Sequence, residues 1–224
     1  MPRSKRTSPE AAAPPPPSPP AATSIGTVTE SWARIEAWLG KHAPSLLAQL
    51  PEGAKETALA KAEKAMGLSF PTGLRESWLR HDGNGLGAGL IGNWSLLSVQ
   101  HAMKEHALMT KLVKDGTFDG AEANPHPHIT QAWWSPAWIP VVSSGSGHLY
   151  CVDTAPPPGG TPGQVILFFH DDGKRLRVAT SFAAWLARIA DDLEGGVYRW
   201  SAKNEAFNRH AFLASSLEGQ RTYG

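Results

Sequence analysis

The amino-acid sequence predicts an α+β domain in which N-terminal helices are followed by a mostly antiparallel sheet and a C-terminal helix packed on it. Three observations lead there. Apolar residues recur at helical intervals through the first half of the chain. Short apolar runs between Gly- and Pro-rich turns then occupy 138–179, and an amphipathic segment opened by a serine follows them. Helices, then strands, then a helix is the order expected when helices gather on one side of a sheet.

The elements follow in chain order. Residues 1–26 are dominated by Pro, Ala, Ser and Thr, including the prolines at 14–17 and 19–20. Proline has no backbone donor and these side chains offer little to bury, so the segment reads as an extended, disordered tail, a spacer sooner than a polyproline ligand. The folded domain spans 27–196. Thr27 and Glu30 have capping-box spacing, and Trp32, Ile35 and Leu39 then share a helical face. A second helix covers 54–66 and stops at Gly67. Pro71 opens a third, which carries Leu74 and Trp78 and closes at His81-Asp82-Gly83. Ser98 caps a fourth, with Val99, Met103 and Leu112 directed to the core and an end near Gly116.

Strands are expected at 138–142, 148–152 and 165–169. Asp171-Asp172-Gly173-Lys174 makes a hairpin turn into a further strand at 175–179, because glycine accepts the positive φ that such turns need. Ser181 caps the last helix, with Phe182, Trp185, Leu186, Ile189 and Leu193 on one face and Gly195-Gly196 at its end. The extension at 197–224 is polar, although Phe207, Phe212, Leu213 and Leu217 could form a short amphipathic helix.

Composition narrows the classes. No apolar run approaches the roughly 18 residues of a membrane span, so no membrane partner is expected. Arg3, Lys5 and Arg6 precede prolines and alanines and no apolar h-region, so the start is not a secretory signal. The lone Cys151 excludes an internal disulfide framework and fits a reducing, cytoplasmic location. Formal charge is +1. Arg3, Lys5 and Arg6 against Glu10 give the tail +2 and leave the body at −1. Such a body has no overall basic footprint for direct nucleic-acid binding.

Several strings invite chemistry and fail on context. Gly87-Ala88-Gly89-Leu90-Ile91-Gly92 matches the dinucleotide string but follows a helix instead of a strand, so it reads as a loop between helices. His126 with His128, and His148 with Cys151, lack the spacing and number of ligands that zinc sites use, so no metal and no cofactor are expected. None of the serines in Ser143-Ser144-Gly145-Ser146-Gly147-His148 has the flanking glycines of a nucleophile elbow. Asp171 and Asp172 are neighbours in a turn and point apart. No catalytic residues are therefore assigned. Among nine tryptophans, Trp133, Trp134 and Trp138 are denser than one core strand requires. Tryptophan is frequent at interface hot spots, which makes these three the candidate partner-binding residues. Strand alternation puts Trp134 and Trp138 on one face and Trp133 on the other.

In this segment the chain resembles a known family. Trp133-Trp134-Ser135-Pro136-Ala137-Trp138-Ile139-Pro140 resembles the Trp-Trp-x-Pro-x-Trp-Ile-Pro signature of the Smi–Knr branch of the SUKH superfamily. The similarity continues in register through Tyr150-Cys151-Val152-Asp153, Gly163-Gln164-Val165-Ile166 and Ser181-Phe182 with Trp185-Leu186, to Asp192-Leu193-Glu194 and Gly196. Upstream, Trp32, Ile35, Glu36, Trp38 and Leu39, then Glu63, Gly67-Leu68, Phe70-Pro71, Leu74 and His81-Asp82-Gly83 keep the same order. The resemblance spans about Trp32 to Gly196. It implies a SUKH-like binding scaffold without enzymatic activity. Its motif residues His81, Asp82, Gly83, Pro136, Pro140, Asp153, Gly163 and Gln164 are taken as structural. Asp82 and Asp153 in particular can accept backbone N–H bonds at a helix or strand end. Bacterial members bind and neutralise a cognate polymorphic toxin, often a nuclease. The leading expectation is therefore a cytoplasmic immunity protein that occludes a toxin domain. The alternative is a regulatory scaffold or adaptor like the family's fungal cell-wall signalling proteins.

Overall fold

A computed structural model of the chain describes residues 26–84, 89–90 and 94–207. The Pro-rich tail, most of the Gly-rich string at 87–92 and the apolar positions Phe212, Leu213 and Leu217 lie outside the described residues.

Local capping chemistry starts the long helices. Helix α1 (Val28–His42) opens on a reciprocal capping box: the Glu30 N–H donates to Thr27 Oγ1 at 3.1 Å, and the Thr27 N–H donates to Glu30 Oε2 at 2.8 Å. A short helix α2 (Pro44–Leu47) follows, then α3 (Glu56–Met66), ended by Gly67 in the left-handed region, and α4 (Thr72–Arg80) after Pro71. The two-residue strand β1 (Ser95–Leu96) leads into α5 (Val99–Lys114), where Ser98 Oγ accepts the His101 N–H at 3.2 Å. After β2 (Asn124–Pro125) come β3 (Trp138–Ser143), β4 (Leu149–Asp153), β5 (Gln164–Phe168) and β6 (Lys174–Ala179). Helix α6 (Phe182–Glu194) starts where Ser181 Oγ accepts the Ala184 N–H, and a hairpin of β7 (Trp200–Ser201) and β8 (Ala206–Phe207) follows it.

The sheet order is β1-β3-β4-β5-β6-β2, antiparallel except for the β2–β6 pair. Burial along β4 and β5 is continuous, not alternating, so both faces of the sheet are covered. The alternation shows in where each side chain goes. Tyr150, Val152, Val165 and Leu167 face the main core, where α1, α3, α4 and α6 contribute Trp32, Ile35, Leu39, Leu59, Leu74, Trp78, Trp185 and Ile189. Leu149, Cys151, Ile166 and Phe168 face a second core with Trp138, Trp134, Ile129 and Met109. Helix α5 links the two layers, with Val99 and Ala102 in the first and Met109 in the second.

The helix periods in the sequence foresee the first layer. The second is supplied largely by the irregular stretch between α5 and β3, which has no period to read. A bulge between Pro140 and Val142 resets the register of β3 against β4. Pro140 stands next to that bulge and beyond the reach of β1, which pairs only with Val142 and Ser143, so the sheet tolerates a residue without a donor. No helix among the described residues is long and apolar enough to cross a membrane.

Candidate interaction surface

The groove is built from the second half of α1, the end of α6 and the start of the terminal hairpin. Trp38, Lys41 and His42 lie one helical turn apart on α1 and form one wall. Leu193, Glu194 and Gly196 form another, and Tyr198, Arg199 and Trp200 close a space of about 560 Å³. Tyr198 and Phe207 are 1% and 3% exposed, so the chain beyond α6 is anchored in the main core and holds the groove's third side in place.

Aromatic rings form its floor. Trp38 stacks on His42 at 4.6 Å and on Phe207 at 6.0 Å, and Trp200 meets Phe207 edge-on at 5.1 Å. Its rim is basic. Lys41, His42 and Arg199 are exposed, while Arg34 is held by Asp191 and Glu194, which raises its pKa further and lowers that of Glu194. A half-buried aromatic floor under a basic rim suits an acidic peptide segment with an apolar anchor.

The sequence-assigned residues lie elsewhere. Trp134 and Trp138 are 3% and 0% exposed and pack edge-on against each other at 5.7 Å. Trp133 is half-buried on the same second core, stacked on Phe118, and not on the opposite face of the sheet as simple alternation predicts. The reason is that Trp133 and Trp134 precede β3 in irregular backbone, where period-two alternation does not operate. The surface of Trp134 and Trp138 is already covered, so the pair cannot meet a partner in this conformation.

The motif residues hold turns. His81 places Nδ1 2.7 Å from the Pro51 carbonyl and Nε2 3.0 Å from Glu36 Oε1, with its ring against Trp32. The Glu36 carboxyl is held below its usual range chiefly by the bonds to Arg80, with burial opposing and His81 adding to the lowering. Asp82 Oδ1 accepts the Val99 N–H at 2.7 Å, at the first turn of α5. Gly83 has φ +83°, and a Cβ there would stand 2.7 Å from Ser98 N and 2.8 Å from the Leu96 carbonyl oxygen. Across the molecule, Gln164 Nε2 donates to Asp153 Oδ2 at 3.1 Å and to the His128 carbonyl at 2.8 Å. Gly163 N–H donates to the Asp153 carbonyl at 2.7 Å, and Ala155 N–H to Asp153 Oδ1. This buried pair closes the β4–β5 connection and fastens the covering segment to it. Burial raises the Asp153 pKa, opposed by the Gln164 amide and the Ala155 N–H. Pro136 contributes its carbonyl, which accepts from His106 Nε2 at 2.7 Å.

Arg175 escaped the sequence reading. It is fully buried, and its guanidinium donates only to backbone carbonyls: Trp133 from Nε and Nη2, and Phe169, Asp172 and Lys174 from Nη1. The cation also lies over the rings of Phe168 at 4.2 Å and Trp133 at 4.9 Å. Burial pushes its pKa down to about 10. A strand arginine beside a turn aspartate carries no signal that sets it apart from a surface residue.

The remaining nucleophile candidates are spoken for. The Cys151 thiol is fully buried, which raises its pKa well above the ordinary value and removes the thiolate that reactivity needs. Ser144 Oγ bonds to Ser146 Oγ and to the His148 carbonyl within its own turn.

A six-stranded sheet with helices on one face and the covering segment with the end of α5 on the other, and with a basic-rimmed aromatic groove outside, defines an α+β domain. The sequence model of the SMI1 / KNR4 family (SUKH-1) matches residues 53–188, and the chain belongs to that family. Among curated proteins it is 32% identical over 184 residues to the cell wall biosynthesis/cell cycle regulator smi1 of Schizosaccharomyces pombe, an alignment covering 75% of this chain and 36% of the relative. It is 32% identical to a glucan synthesis regulatory protein of Neurospora crassa, over 77% of this chain and 39% of the relative. To the cell wall assembly regulator SMI1 of Saccharomyces cerevisiae it is 24% identical, over 74% of this chain and 40% of the relative. The chain thus spans about two-fifths of the length of these relatives. They carry the names of regulators. These relatives overturn the expectation of a bacterial immunity protein and of a toxin, nuclease or otherwise, as its partner: they are fungal regulators of the wall and of glucan synthesis.

Proposed function

We propose that this chain is a regulatory scaffold module of cell-wall assembly that works by binding a partner protein, with no reaction of its own, in the cytoplasm. The observation that carries the reading is the groove between α1, α6 and the 198–200 segment, with Trp38 and Trp200 in its floor and Lys41, His42 and Arg199 on its rim. The partner surface it fits is an acidic segment anchored by one aromatic or aliphatic side chain. The regulatory names of the relatives support the wall context. The buried thiol and the self-satisfied serines support binding over catalysis.

The test is a chimera. In fission yeast, the matching region of the smi1 relative is replaced by this chain, and wall glucan content and sensitivity to wall-digesting enzymes are read. Restoration is expected, with its loss in a Trp38→Ala, Arg199→Glu double variant that melts like the parent. A chimera expressed and folded at parental level that behaves as a deletion would overturn the wall assignment. An active double variant would overturn the groove.

A further inference from the structure

Two hairpin turns bring together three groups that the sequence keeps apart. His148 ends the β3–β4 turn, and His170 and Asp171 open the β5–β6 turn. His148 Nδ1 stands 3.3 Å from His170 Nδ1, and Asp171 Oδ1 lies 3.8 Å from each of them. The geometry points to a divalent transition-metal site of the zinc class, with His148, His170 and Asp171 as its three protein ligands.

The distances carry the argument. The point equidistant from these three atoms is about 2.1 Å from each, within the roughly 2.0–2.2 Å of zinc–imidazole and zinc–carboxylate bonds. The imidazole pair alone makes the same case. Two nitrogens bound to one tetrahedral zinc are separated by roughly 3.3–3.4 Å, the edge of a tetrahedron with bonds of that length. Imidazole and carboxylate donors suit zinc and its neighbours over the hard cations.

The ligands are held before any ion arrives. The His148 ring stacks on Trp94 at 6.4 Å and meets Phe169 at 5.3 Å. Its Nδ1 is the unprotonated nitrogen, because it accepts a long bond from the His170 backbone N–H at 3.4 Å, which an ion would displace. The His170 ring fits against Gly147, where a Cβ would come within 2.8 Å of its Cγ and 3.0 Å of its Nδ1. Asp171 has a side chain 64% exposed and is free to close by the few tenths of an ångström that a pyramidal site needs. With three protein ligands, the fourth position faces outward, open to water or to a donor from a partner. The ion would clip the β3–β4 turn to the β5–β6 turn.

The probe is the metal alone on the tag-free, chelator-treated chain of residues 1–224. Titration with Co2+, followed by its visible d–d bands, and with Zn2+ by calorimetry should give one saturable equivalent and a rise in melting temperature. His148→Ala and the more exposed His170→Ala should each weaken binding at least ~10-fold and abolish that rise, and Asp171→Asn should weaken it less. The His126→Ala, His128→Ala double variant should bind like the parent. Absence of saturable binding tighter than about 100 µM would reduce the pair to an imidazole–imidazole hydrogen bond and overturn the site. Undiminished binding in folded His170→Ala would overturn it equally.

Discussion

At the scale of single residues, the interior is stabilised by groups whose chemistry the sequence does not advertise. Arg175 has no carboxylate among its acceptors and donates instead to four backbone carbonyls. Arg175→Met should lower stability by roughly 3 kcal/mol or more in urea unfolding, since it removes a buried side chain's bonds to four part-buried carbonyls at once. Arg175→Lys should recover little, because an ammonium cannot reach Trp133 and Phe169 in the planar fork that guanidinium provides. His106 gives a pH signature. Burial holds its pKa below the ordinary 6.5, opposed by the bond to the Pro136 carbonyl. The unfolded chain therefore takes up this proton before the folded one as the pH falls. The stability due to neutral His106 is complete above about 6.5 and is lost as pH falls through the folded value. His106→Gln, whose amide can still donate to Pro136, should flatten the decline of the urea midpoint between about pH 7 and 5. A decline as steep as the parent's would assign the acid sensitivity elsewhere. For the tryptophans, Trp134→Ala and Trp138→Ala should each cost roughly 3–5 kcal/mol and half-buried Trp133→Ala less, a separation by burial.

Elements were legible where their signals are local. Thr27 with Glu30, Ser98 and Ser181 start α1, α5 and α6 by bonds to residues three away, so the sequence alone locates them. The central strands were legible because their apolar runs are continuous. Helix α2 and the two-residue strands were not: β1 and β2 are fixed by distant partners, and α2 and the β7–β8 hairpin are too short to show a period. The covering segment was missed for the same reason. Its anchors are Trp133 carbonyl on Arg175, Pro136 carbonyl on His106 and His128 carbonyl on Gln164, each pair at least 30 residues apart in sequence. The junction between α4 and α5 can be tested directly. Asp82→Ala removes the acceptor for Val99 N–H and should cost about 1 kcal/mol, as lost helix caps do. Gly83→Ala should cost more, because both its positive φ and the nearby Ser98 and Leu96 backbone oppose a Cβ. Equal melting temperatures for the two variants would show that the backbone at 83 relaxes freely.

For the whole molecule, the same facts explain why the fold was readable and the partner was not. The motif residues on which the resemblance rested, His81, Asp82, Gly83, Asp153, Gly163 and Gln164, all close turns or fasten layers. Residues that close turns and fasten layers serve the fold whatever it binds, so they gave no means to choose a toxin over a wall regulator. On the function proposed above, the groove residues carry that information, and they come from separate segments: Trp38 and Lys41 on α1, Leu193 and Glu194 on α6, and Arg199 and Trp200 beyond it. No window of sequence contains the set. This arrangement also separates stability from binding in a way that can be measured. Ending the chain at Gly196 removes Tyr198 and Phe207 from the main core, and with them the support behind Trp38. That truncation should lose several kcal/mol, at roughly 1.5–3 kcal/mol per buried large side chain, and the groove with it. Lys41→Glu and Arg199→Glu leave those buried rings untouched. Each should change the unfolding free energy read in urea by no more than the roughly 0.5 kcal/mol typical of surface sites. Together they should reverse the rim's charge and weaken capture of an acidic peptide, with a salt dependence smaller than the parent's. Should the double charge variant bind such a peptide as tightly as the parent while the truncated chain stays folded, the groove would be neither basic in effect nor built by the terminal hairpin.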